Sequence, residues 1–203
     1  RLVLNLRLRA RTFGSVYKTL IEAHGLPSHE GRILLIHDGS TLHIDSWHSD
    51  TGGPSGAPEG PTADVRLRWL SPCIVADDLV ESHFWWTSQV LERQERLKDR
   101  PTYVVTSRAG PSEASSYRQV TSWIDTERMV PLRAEKTTRA DGTVTLVTYD
   151  KVRQRDRMWM PGRIEIAPTG SGCRVELAML GGTTRATLAP SIFDPVRLAP
   201  LPR

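Results

Sequence analysis

The sequence predicts a mainly β protein whose short, consecutive strands make an antiparallel sheet that curls into a barrel or half-barrel. Three observations carry that expectation. Apolar and polar residues alternate with period two in many short segments, turns containing Gly or Pro separate those segments at short intervals, and a single segment has helical spacing.

Residues 1–10 read RLVLNLRLRA, with Leu2, Leu4, Leu6 and Leu8 on one side and Val3, Asn5, Arg7 and Arg9 on the other, the pattern of a strand with one buried and one wet face. Residues 16–23 put Val16, Leu20 and Ala23 at helical spacing, but their β-branched and aromatic neighbours and the following Gly25 and Pro27 favour a strand. Residues 31–45 hold two apolar runs, 33–36 and 42–44, around Asp38-Gly39-Ser40, which signals a hairpin. Residues 49–63 contain four Gly and three Pro with almost nothing apolar and are expected to be a flexible loop. A strand follows at 65–70, ended by Pro72.

The helix candidate spans 77–86: acidic residues fill its first turn, Leu79, His83 and Trp86 recur on one side, and Val80 and Phe84 adjoin them. Further strands are expected at 88–97, 102–108, 117–125, 132–139, 143–152, 163–167, 174–180 and 184–188. Between them lie turn-formers such as Asp99-Arg100-Pro101, Gly110-Pro111, Asp141-Gly142 and 170–172. No internal repeat appears, and residues 1–203 are expected to form a single domain.

Composition narrows the function. Hydrophobic residues make up 38% and charged residues 25%, enough for a folded core. The formal charge is +4, and its arginines are scattered through every segment, which suits a solvated mixed-charge surface better than a nucleic-acid site. No run approaches the ~18 apolar residues of a membrane-spanning helix. The chain starts at Arg1 within a strand-like segment and is expected to be a mature region from which a signal peptide has been removed. Cys73 and Cys173 are the only cysteines and have no metal-ligand spacing; in an oxidising compartment they could form a disulfide.

Several chemical patterns are weaker than they look. Ser15-Val16-Tyr17-Lys18 matches SxxK, yet the partner passages of that chemistry are missing. His37, His43 and His48 with Asp38, Asp45 and Asp50 form a local group of metal-ligand types, but solvated hairpin residues explain them, and no metal or other cofactor is expected. Asp77, Asp78 and Glu81 are accounted for by a helix N-terminus rather than by acid–base work. The Trp85-Trp86 pair stands beside acidic residues, which argues against nucleic acid.

From 77 to 198 the features come in a recognisable order. DDLVESHFWWTSQ precedes RPTYVVTSR; then YRQVTSWIDTERMVPLRAEKTTRADGT leads from Trp123-Ile124-Asp125 to Pro131-Leu132; MWMPGRIEI, CRVELAML and Ile192-Phe193-Asp194 follow. This series resembles the LolA-like outer-membrane lipoprotein-sorting proteins. The resemblance implies a single curled antiparallel sheet, an open half-barrel with one or two helices covering its concave face. It further implies a non-catalytic periplasmic carrier that holds the acyl chains of lipoproteins or other lipid in an apolar cavity and meets an inner- or outer-membrane delivery partner. The residues expected to line that cavity are Leu79, Val80, Phe84, Trp85, Trp86, Trp123, Met129, Leu132, Met158 and Trp159. No arginine here matches the family's lid-closing one. The alternative is a periplasmic sensor or scaffold that uses the same half-barrel to bind a protein.

Overall fold

The structure is a computed structural model and describes residues 3–24, 30–38, 42–48, 54–55, 71–111, 113 and 115–198. It is mainly β, with antiparallel sheets that do not close into a barrel and very few helices. The chain divides into two compact units, residues 1–80 with 187–203 and residues 81–186.

In the first unit, β1 (Asn5–Phe13), β2 (Val16–His24), β3 (Gly31–His37), β4 (Leu42–His48) and β5 (Pro54–Ser55) pair in sequence order, all antiparallel. Phe13 pairs with Val16 across a turn in which Gly14 sits at φ 62, a conformation glycine reaches without Cβ strain. The register puts Leu20 and Leu34 on one face and Ile21 and Ile33 on the other, so β2 and β3 bury both sides and read as continuous apolar runs. Phe193 and Leu198 close the Leu20–Leu34 face, with Phe13, Ile36, Trp47, Leu188 and Ile192 around them, and the rings of Phe13 and Phe193 meet edge-on at 5.5 Å. Arg32 fastens the same segment by donating to the carbonyls of Arg197 and Leu198 at 3.1 and 3.3 Å.

Two expectations change here. Leu6 and Leu8 remain open although they face the buried Ala23 and Ile21, because among the described residues β1 ends the sheet and has a neighbour on one side only. Residues 184–188 form no strand; the chain there runs into 3-10 turns at Pro190–Phe193 and Pro195–Arg197, each begun by a proline whose fixed φ suits a helical start. The expected strand at 65–70 and most of the expected loop at 49–63 lie outside the described residues; within the latter, Pro54 and Ser55 pair with β4.

The expected helix over 77–86 is broken. α1 (Asp77–Val80) is one turn, a 3-10 turn follows at Ser82–Trp85, and between them Glu81 adopts the left-handed conformation, φ 50 and ψ 46. That conformation costs a non-glycine residue about 1 kcal/mol, so something must hold Glu81 there.

The second unit contains β6 (Ser88–Leu97), β7 (Arg100–Arg108), β8 (Tyr117–Asp125), β9 (Pro131–Thr138), β10 (Val144–Asp150), β11 (Arg153–Arg155), β12 (Met158–Met160), β13 (Arg163–Pro168) and β14 (Val175–Ala178). Seven of these form an antiparallel sheet in the order β14-β13-β10-β9-β8-β7-β6, while β11 and β12 make a separate hairpin. Register shifts at Leu91/Arg93, Tyr117/Gln119 and Trp123/Ile124 mark bulges. Neither cysteine is free; Cys73 and Cys173 are both disulfide-bonded. Among the described residues no helix is long and apolar enough to cross a membrane.

Candidate functional site

One face of the seven-stranded sheet is built by alternation. Val120 and Ser122 of β8, Leu132, Ala134 and Lys136 of β9, and Thr145, Val147 and Tyr149 of β10 all fall on it, because cross-strand partners such as Ser122 and Ala134, or Ala134 and Val147, share a face. Every one of these residues is buried. Most are apolar, and Lys136 in their midst is 1% exposed.

The chain at 81–86 lies on this face through polar contacts. Glu81 Oε1 accepts from the Tyr149 hydroxyl at 2.6 Å, and Lys136 Nζ stands 3.1 Å from Glu81 Oε2. The same carboxylate oxygen is 3.4 Å from His83 Nδ1, and His83 Nε2 is 3.2 Å from Ser122 Oγ. From β6, Gln89 Nε2 donates to the carbonyls of Phe84 and Trp86, each at 3.0 Å. Held by two sheet side chains, Tyr149 and Lys136, the Glu81 carboxylate supplies the force that keeps its backbone left-handed. Burial, and after it the nearby Lys136 charge, pushes the His83 pKa well below its ordinary 6.5, so the imidazole is neutral at neutral pH.

Ser122, His83 and Glu81 thus stand in the order nucleophile, base and orienting carboxylate. Their burial decides what the arrangement can do. Ser122 is 1% exposed and covered by the segment that carries His83, so uncovering the hydroxyl for an acyl group removes its base. The chain of groups works as a fastening between the 81–86 segment and the sheet.

The residues expected to line a cavity fall in several places. Leu132 lies on the covered face and Trp86 is buried within the covering segment, where its ring stands 6.2 Å from that of His83; Phe84 and Trp85 are 37% and 41% exposed. Leu79 and Val80 belong to α1 in the first unit. Trp123 alternates onto the opposite face of the sheet, where Nε1 donates to Glu95 and the Arg133 guanidinium lies over the ring at 4.8 Å. Met129, Met158 and Trp159 are exposed, with Arg128 over the Trp159 ring at 4.9 Å. Sequence reasoning missed Lys136, Tyr149 and Ser122. A signal existed for the first: in PLRAEKTT, Lys136 holds the phase of Leu132 and Ala134.

Among the described residues no group of three His, Cys, Asp or Glu could hold a metal ion. In the hairpin singled out from sequence His43 is exposed and His37 buried, while Asp50 and the side chain of His48 lie outside the described residues.

A family model whose description reads "-like: Uncharacterized protein" matches residues 68–199. The chain belongs to that family. Its fold is that of the LolA-like proteins, as solved structures show. A DUF1329 family protein from Desulfovibrio piger superimposes with a TM-score of 0.81 at 12% identity, covering 98% of this chain and 85% of that one. A protein domain from Vibrio parahaemolyticus described as an outer membrane lipoprotein-sorting domain gives 0.80 at 13%, covering 96% and 83%. A LolA superfamily protein from Nitrosomonas europaea gives 0.58 at 16%, covering 85% and 80%. No curated protein sequence matches this one.

Proposed function

We propose that this LolA-like chain is a non-catalytic periplasmic carrier that holds acyl chains against the apolar face of its seven-stranded sheet and helps sort lipoproteins to the outer membrane. One observation carries the reading. The apolar face is covered by a short segment fastened through polar groups, while two of that segment's aromatic rings, Phe84 and Trp85, are left partly in water. Polar fastenings can be exchanged for water when the segment lifts, whereas a cover packed by apolar contacts alone would lose its burial outright. An acyl chain taking its place gains roughly 0.8 kcal/mol per buried methylene, enough to offset the lost fastening over a few carbons. Phe84, Trp85, Trp86 and Leu132 are the side chains assigned to touch the lipid.

Two further facts support the reading. Structures of the same fold include a protein described as a lipoprotein-sorting domain, and both cysteines are oxidised, which suits a compartment outside the cytosol.

Native mass spectrometry of the purified protein, followed by organic extraction, tests it. The expected result is co-purified acyl lipid, lost in a Phe84→Asp, Trp85→Asp double variant that melts like the parent. A protein that is empty and takes up neither phospholipid nor lipidated peptide overturns the carrier and leaves a protein-binding scaffold as the alternative.

A further inference from the structure

The stretch between β10 and β13 reads KVRQRDRMWMPGR over 151–163, and the carrier function does not use it. Its hairpin, β11–β12, shares no ladder with the seven-stranded sheet, and such an isolated pair is marginal in water by itself. Here it is braced. Asp156 Oδ2 accepts from the Thr184 amide at 2.8 Å and the Thr183 hydroxyl at 2.9 Å, Arg155 donates to the Gly182 carbonyl at 3.3 Å, and Arg153 donates to the Met179 carbonyl. At its base a Cβ on Gly162 would stand 2.8 Å from the Lys151 carbonyl oxygen, so the two ends close only over a glycine.

What this braced element presents is apolar and basic together. Met158 and Trp159 are 55% and 38% exposed; Met129, beside the Arg128 that stacks on Trp159, is 67% exposed. Over 151–160 four basic side chains stand against one acidic, a net of +3 beside +4 for the whole chain. Arg153 and Arg155 spend hydrogen bonds on neutral carbonyls and form no ion pair among the described residues, and Lys151 and Arg157 are exposed. Ordering a hairpin to hold Met and Trp in water among four cations is unfavourable unless a surface accepts both.

We propose that the β11–β12 hairpin docks the protein on an anionic phospholipid membrane. The hairpin enters tip first: Met158 and Trp159, on its two faces beside the Asp156-Arg157 turn, reach the boundary between headgroups and acyl chains, where Trp is favoured, and Lys151, Arg153, Arg155 and Arg157 stand near the phosphates. A nucleic acid fits less well, because the face of Trp159 that would stack on a base carries the Arg128 guanidinium. This surface is distinct from the acyl-binding face and rests on different residues.

Flotation with vesicles of phosphatidylethanolamine and phosphatidylglycerol, compared with phosphatidylcholine alone, tests the proposal. The full chain is expected to float with the anionic vesicles and to lose affinity as salt rises. Lys151 and Arg157 sit at positive φ, which asparagine tolerates, so a Lys151→Asn, Arg157→Asn variant should fold normally and bind about 25-fold more weakly, near five-fold per charge. A Met158→Ser, Trp159→Ser variant should lose the binding that survives added salt. Absence of flotation with anionic vesicles, equal binding to phosphatidylcholine, or undiminished binding by both variants overturns the proposal, the last pointing to another surface. Lipid extracted from the same variants separates the two functions: retained acyl lipid with lost flotation leaves the carrier standing, and the reverse leaves only the docking surface.

Discussion

Lys136 occupies a position where the alternation of β9 calls for an apolar side chain, and the 81–86 segment answers it with Glu81. Replacing Lys136 by Met leaves the Glu81 carboxylate without its cation in a largely buried place, and should destabilise the protein by about 3 kcal/mol, read from urea unfolding. A Glu81→Gln, Lys136→Met double variant should lose less than the single one, since no charge is then stranded. His83 sets a pH dependence. Its folded pKa lies below 6.5, so as pH falls past 6.5 the unfolded chain takes up a proton that the folded chain refuses. Stability should therefore fall on acidification from that point, by at most about 1.4 kcal/mol per pH unit from this residue, and His83→Gln should flatten the slope. The groups facing His83 are the Glu81 carboxylate and, further off, the Lys136 ammonium. Asp125 adds its own loss only at lower pH: burial opposes its ionisation, but the amides of Arg128 and Glu127 and the guanidinium of Arg100 outweigh that and hold its pKa below 3.8.

At the scale of elements, what the sequence revealed depended on whether a pattern had one reading. β6 and β8 were legible to the residue, because turn-forming residues lie between the strand-like segments there. The 77–86 segment was not, since Leu79, His83 and Trp86 sit at helical spacing whether or not the chain breaks, and the break is imposed by sheet residues 55 and 68 positions away in sequence, Lys136 and Tyr149. The β11–β12 hairpin escaped for another reason: Asp156 and Arg157 make its turn at φ 47 and 69 with no glycine to announce it. An Arg157→Gly substitution should relieve that conformation and raise stability by about 1 kcal/mol in thermal melts, even as it removes a charge from the docking surface. The C-terminal segment belongs to the first unit's core, so Phe193→Ala should cost about 3 to 4 kcal/mol, with β1–β5 losing protection in hydrogen exchange.

For the molecule as a whole, the mainly β antiparallel fold and its LolA-like character were visible in the sequence, because period-two alternation and the order of features from 77 to 198 survive in sequence where side-chain partners do not. The fastening on the sheet face was visible only as an out-of-place lysine. The state of the cysteines was open, since 100 intervening residues say nothing about where two sulfurs end up. Thiol titration of the denatured, unreduced protein should find no reactive sulfhydryl, with two appearing after reduction. A last consequence concerns solution behaviour. Among the described residues β6 ends its sheet, and its outer backbone would accept another chain as a further strand. The bulge at Leu91/Arg93 bends that edge, and Glu92, Arg93, Glu95 and Arg96 charge it, so two copies meet an irregular, highly solvated rim instead of a flat template. Deleting Glu92 would straighten the rim, and two copies would then be expected to pair through β6 as a dimer on concentration.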